Sequence, residues 1–214
     1  MQYPVEATII SIAISSNVLV LGLSGNLIII VDLMRPDNTM KIQINRKPIE
    51  MTIYKIFLDP SGRHLIVSSE QGESWYHFHG WKRFKLLKSF GRIVVRCIAW
   101  NAFHPLTSSY STSSGEMLIG ATDGLLYESL LDAEDDIFKS QERYLRTVYS
   151  LPDYQAITGV SFQQYTSSDP GTLLILVTTN SRIYRFSGYL ERRTTDGYIH
   201  FSSFFEKFKD NTPS

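Results

Sequence analysis

Few side chains in this 214-residue chain stand at spacings that support chemistry. His77 and His79 lie two apart in an apolar run, which on a strand puts both on the same side. Two such histidines can begin a zinc site, but a zinc site needs three or four ligands. His64, His104 and the single cysteine, Cys97, do not stand at ligand spacing from them. The strand surface is therefore the expected place for these histidines, and no metal or cofactor is expected. Asp132, Glu134, Asp135 and Asp136 make an acidic run without the central Gly and terminal Glu of a calcium loop, so a solvated loop is expected. No Gly-x-Ser-x-Gly elbow, Walker loop, HExxH motif or clustered Ser/His/Asp set is present. Asp59-Pro60 and Asp123-Gly124 carry turn chemistry instead of a pair of acids. The residues point away from an enzyme.

Trp81-Lys82-Arg83-Phe84-Lys85-Leu86-Leu87-Lys88 interleaves aromatic and basic side chains. Such a run meets phosphates, an anionic membrane or an acidic partner. The plainer reading is an outer strand whose charges discourage edge-to-edge pairing. Lys plus Arg number 21 and Asp plus Glu number 21, so the chain is neutral and nucleic acid is not an expected partner. Aromatic residues and Arg carry most interface energy. Trp81, Arg83 and Lys85, with Tyr110 in a Ser-rich stretch, are therefore the candidate partner-binding residues.

The elements that would position these residues repeat. Short apolar strands are predicted at Ile9 to Ile14, Ile53 to Leu58, Val95 to Trp100 and Ile157 to Phe162. Ile12, Ile56, Ile98 and Val160 align, at intervals of 42 to 62 residues. A second strand, a Gly- or Asn-containing turn and a third strand follow each. Outer strands are predicted at Met40 to Ile44, Phe84 to Phe90 and Arg143 to Leu151. The Ser/Thr-rich stretch Leu106 to Ser114 and the acidic stretch Leu131 to Glu142 lengthen the third unit. Units of this size and strand content are propeller blades. The expected fold is all-β: about four blades of a longer, seven-bladed β-propeller, with a closed four-bladed ring as the alternative. The predicted propeller covers 1–190, with blades at 1–48, 49–91, 92–152 and 153–190. The last blade lacks its outer strand. In the tail, 191–214, Ser202-Ser203 followed by Phe204, Phe205 and Phe208 predicts a short helix with a serine N-cap.

The single Cys97 rules out an internal disulfide and fits a reducing compartment. Met1 to Glu6 lacks the basic and apolar regions of a signal peptide, and Leu27 to Val31 is far too short to span a bilayer. A soluble, cytosol-facing chain is expected.

Five ordered runs carry a family resemblance: FLDPSGRHLIVSS from Phe57, IAWN from Ile98, GEMLIGATDGLLYE from Gly115, VYSLPDYQAITGVSF from Val148 and LVTTNSRIYRFSG from Leu176. Over roughly residues 50 to 190 the chain resembles the N-terminal propeller of the vacuolar protein sorting-associated protein 18 family, the deep-orange type of class C vacuolar sorting subunit. The resemblance implies a non-catalytic scaffold of the HOPS and CORVET tethering complexes. It implies other class C subunits as partners, with Rab GTPases or SNAREs engaged indirectly. It also implies peripheral association with late endosome, lysosome or vacuole membranes. The family's solenoid and RING functions have no matching residues here. A phosphoinositide-binding propeller and a propeller hydrolase are the alternatives. Arg192-Arg193 lacks the flanking Phe and Gly of the lipid-binding motif, and the inner strands lack the ring of carboxylates a hydrolase would need.

Overall fold

A computed structural model describes residues 7–44, 51–101, 112–134, 141–165, 171–189 and 201–209. The chain forms two compact units, Met1–Val94 and Val95–Ser214. Each contains two antiparallel sheets, and in every sheet the strands follow chain order.

In the first unit, β1 (Ile9–Ser15), β2 (Val18–Leu23), β3 (Leu27–Asp32) and β4 (Thr39–Gln43) make one sheet. The second holds β5 (Ile53–Leu58), β6 (His64–Ser69), β7 (Ser74–Phe78) and β8 (Lys85–Leu86). Register explains which side chains enter the core. Ala13 opposes Val20 and Val20 opposes Ile30, so these three share a face. Val20 and Ile28 pack with Ile53, Ile56, Leu65, Val67 and Trp75 of the second sheet. The opposite parity of β1 leaves Ile12 and Ile14 63% and 66% exposed. On that same face, Leu21, Leu23, Ile29 and Val31 are buried.

The outer strand of the second sheet is far shorter than Phe84 to Phe90. Only Lys85 and Leu86 pair with β7, and Lys88–Phe90 then forms a 3-10 turn. The reason is packing: Leu87 and Phe90 are drawn fully into the interior, which ends the alternation a strand requires.

In the second unit, β9 (Val95–Trp100), β10 (Ser113–Ala121), β11 (Leu125–Asp132) and β12 (Glu142–Ser150) form a sheet. The other is three-stranded: β13 (Gly159–Tyr165), β14 (Thr172–Thr178) and β15 (Ile183–Tyr189). Ser113 and Ser114, expected in the Ser-rich loop, instead open β10. The Ser114 hydroxyl accepts the Leu131 N–H and donates to the Gly115 carbonyl, which satisfies the backbone beside a bulge. Leu131 and Asp132, expected in the acidic loop, end β11.

The helix α1 (Phe201–Lys209) buries Phe201, Phe204 and Phe205 against Tyr149 of β12 and Phe186 of β15. Ser202 and Ser203 lie inside the helix and do not form its cap. Glu128, fully buried on β11, accepts the Ser202 N–H at 2.8 Å, and Arg146 Nε stands 3.3 Å from its other oxygen. A carboxylate there satisfies an otherwise orphaned amide and suits the positive end of the helix dipole.

The turn between the second and third strands recurs in three sheets with Gly at positive φ: Gly25 (76°), Gly72 (86°) and Gly124 (76°). At two of them the glycine lies under backbone. A Cβ on Gly72 would stand 2.7 Å from the Arg92 carbonyl carbon, and one on Gly124 would stand 2.4 Å from that of Tyr154. Arg92 and Tyr154 themselves have positive φ, at 71° and 49°. The same close approach is thus built in both units.

Candidate functional site

The basic-aromatic run lies at the end of β7 in the second sheet. Gly80, at φ 90°, reverses the chain, and the Trp81 N–H closes the turn on the Phe78 carbonyl. The chain then returns as β8, where Lys85 opposes Tyr76. That register puts Lys85, Tyr76 and Phe78 on the face turned away from the first sheet. Trp81 packs edge-on against Tyr76 at 5.4 Å and against Phe78 at 6.0 Å. Lys85 Nζ sits 4.2 Å from the Trp81 ring centre, and the Arg63 guanidinium sits 4.9 Å from that of Phe78. Two cations therefore lie over two neighbouring rings, at separations where the ring quadrupole attracts them.

Buried polar bonds fix this platform from beneath. His64 Nδ1 is 2.7 Å from the Tyr76 hydroxyl. The Asp59 carboxylate accepts the backbone N–H groups of Ser61, Arg63 and His64 at 3.0, 2.8 and 2.7 Å. Asp59 is thereby committed to the turn predicted for it, and it orients the residue next to Arg63.

His77 corrects the surface reading of the histidine pair. It is 3% exposed, and its Nε2 lies 2.8 Å from the Trp81 carbonyl. A carbonyl only accepts, so Nε2 carries the proton. Phe84 packs against the ring at 5.0 Å. The strand ends at Phe78, so His79 falls in the exposed turn and does not continue the face. Burial holds the His77 pKa below its usual 6.5, against the raising effect of the Trp81 carbonyl and with a small lowering from His79. Among the described residues no three His, Cys, Asp or Glu side chains converge as metal ligands would.

Of the candidate binding residues, Trp81 and Lys85 are brought together. Arg83 is exposed on the segment that links them and, like Lys82, makes no ion pair with the described residues. Tyr110, His104, Arg192, Arg193, Asp135 and Asp136 lie outside the described residues.

The described part of the acidic stretch is an ion-pair clamp. Arg143 Nη2 lies 2.7 Å from Asp132 and 2.9 Å from Glu134, and the Thr112 hydroxyl donates to Asp132 at 2.6 Å. Burial alone pushes the Asp132 carboxyl up. The bonds from Thr112, Arg143 and the Glu134 N–H outweigh it and hold the pKa below its usual 3.8. Sequence reasoning missed Glu116 and Glu128, both almost wholly buried. Glu116 accepts a bond from Asn101 Nδ2 at 2.8 Å. The signal was present: each is an acid at a core parity in GEMLIGATDGLLYE.

The His77 and Asp132 shifts make stability fall in acid. In both cases the unfolded chain takes up the proton first. The His77 contribution is complete above about pH 6.5 and is lost as pH falls toward its lower folded pKa, while the Asp132 contribution is lost below about pH 4. The urea midpoint is expected to be lower at about pH 5.5 than at about pH 7.5, and His77→Gln is expected to flatten that difference. A midpoint that rises on acidification would contradict the buried neutral histidine.

Comparison with known proteins agrees with this architecture. The family model of the Pep3/Vps18/deep orange beta-propeller domain matches residues 1–214. The zebrafish (Danio rerio) vacuolar protein sorting-associated protein 18 homolog is 27% identical over 205 residues, 94% of this chain and 20% of that protein. Vacuolar membrane protein pep3 of Schizosaccharomyces pombe is 29% identical over 209 residues, 96% of this chain and 21% of its own length. Vacuolar sorting protein 18 of Arabidopsis thaliana is 27% identical over 82% of this chain and 17% of that protein. The chain thus spans about a fifth of the length of these relatives.

Among solved structures, the computationally designed Ika4 protein superposes with a TM-score of 0.52 at 12% identity, covering 88% of this chain and 94% of the other. The Cps50 (Swd1) β-propeller domain of Myceliophteria thermophila gives 0.50 at 16% identity, covering 86% and 53%. These two likenesses show the fold alone. A family match that runs from the first residue to the last, over four blade-like antiparallel sheets, places this chain in the Pep3/Vps18/deep orange β-propeller domain family.

Proposed function

We propose that this chain is a non-catalytic scaffold that holds partner subunits within a HOPS- or CORVET-type membrane-tethering assembly. The observation that carries this reading is the family match over the whole chain, with relatives named for vacuolar sorting. The mechanism is steric and multivalent. Rigid sheets fix the spacing of loops and edges, and each docked subunit raises the effective concentration of the next. Other class C sorting subunits are the direct partners, and Rab GTPases and SNAREs are reached through them. No described helix is long and apolar enough to cross a membrane. The chain associates peripherally with late endosome, lysosome or vacuole membranes, through those partners.

Membrane fractionation tests the reading. The tagged chain is expected to sediment with endolysosomal membranes and to move to the soluble fraction when the other class C subunits are depleted. Sedimentation that is unchanged by their depletion would overturn it.

A further inference from the structure

We propose that the Trp81–Lys85 edge of the second sheet is a docking surface for an acidic protein segment. Charge is segregated along this part of the chain. Between Glu73 and Glu116 the neutral chain carries no acid, while Lys82, Arg83, Lys85, Lys88 and Arg92 fall within its first half. Lys82, Arg83 and Lys88 are exposed and make no ion pair with the described residues. Glu70 and Glu73 are at the opposite end of β7 from Trp81, and Asp59 is buried and bonded to its own turn. Among the described residues of this sheet the surface therefore presents cations without local neutralisation, which is the field a negatively charged partner meets.

The geometry distinguishes a protein segment from a lipid surface. Insertion into a bilayer needs aromatic faces free to enter the headgroup region. Here Trp81 is half-buried, with Lys85 over its face, and it packs edge-on against Tyr76 and Phe78. What remains outward is cationic: Lys82 and Arg83 are exposed on the segment whose start is fixed by the His77–Trp81 bond. This surface does not depend on the tethering role.

The test uses the whole chain and a fluorescein-labelled poly-glutamate peptide, read by fluorescence anisotropy at low and moderate salt. Binding is expected to weaken as salt rises, and the double variant Lys82→Glu/Arg83→Glu is expected to weaken it on the order of tenfold or more. Lys41→Glu, an exposed charge reversal on β4, is expected to leave it unchanged. Both substituted positions of the double variant are exposed, so parent-like thermal unfolding is expected and is checked first. Equal weakening by Lys41→Glu, or no weakening by the double variant, would overturn the proposal. So would failure to bind the peptide together with variant-sensitive binding to phosphatidylserine vesicles, which would reassign the surface to membranes. None of these results bears on co-purification with tethering subunits, so the two readings fail separately.

Discussion

Phe205→Ala is expected to destabilise the protein by about 3–5 kcal/mol, the range for deleting a fully buried aromatic side chain. Phe205 has no exposed surface. Its ring lies 5.4 Å from Tyr149, 5.1 Å from Phe186 and 5.4 Å from Phe204, so one truncation empties the centre of an aromatic cluster. The helix is nine residues long, too short to persist without its packed face. Loss of Phe205 should therefore release α1 as well as weaken the core. The checks are a lower urea midpoint and faster proteolysis near residue 200. Phe208→Ala, at a half-buried position of the same helix, should cost clearly less. If the two variants unfold at the same midpoint, the cluster does not anchor the helix as described.

The second large effect is expected at Gly124. Alanine at φ 76° costs about 1–2 kcal/mol in the left-handed region alone. Here its Cβ would also stand 2.4 to 2.7 Å from the Tyr154 backbone, which has no rotamer by which to yield. Gly25 provides the internal control. It has the same φ of 76° and the same place in its sheet, but a Cβ there meets nothing within 4 Å. Gly25→Ala should show only the conformational cost, and Gly124→Ala should exceed it by about 1–3 kcal/mol, as overpacking does. Equal losses, measured by denaturant titration, would mean that the close approach of Tyr154 carries no energy.

Much of the fold was legible because strand parity and turn chemistry are local. β2, β5, β7 and β9 stand where the apolar runs predict them, between the Gly and Asn turns that bound them. The C-terminal helix was also legible, from the spacing of Phe204, Phe205 and Phe208. What failed depended on partners distant in sequence. The helix cap comes from Glu128, 74 positions from Ser202, and no local serine pattern could indicate that. The outer strand of the second sheet shrank to Lys85–Leu86 because Leu87 and Phe90 found the interior. His77 looked like a surface residue until the chain reversed at Gly80 and brought the Trp81 carbonyl and Phe84 over it.

The candidate surface was legible only as composition. The run from Trp81 to Lys88 announced basic and aromatic residues, but not that Lys85 would lie over Trp81 or that Arg63, from another strand connection, would lie over Phe78. Those contacts are set by cross-strand register, which places two cations over neighbouring rings.

The central claim is that this propeller-type chain works by holding tethering subunits. It is tested most directly by affinity purification of the tagged, folded chain from cells, with mass-spectrometric quantification of co-purifying proteins against Phe205→Ala. The account predicts that other class C vacuolar sorting subunits are enriched with the parent chain and depleted with the destabilised variant. A parent chain that unfolds cooperatively yet recovers none of those subunits would contradict it.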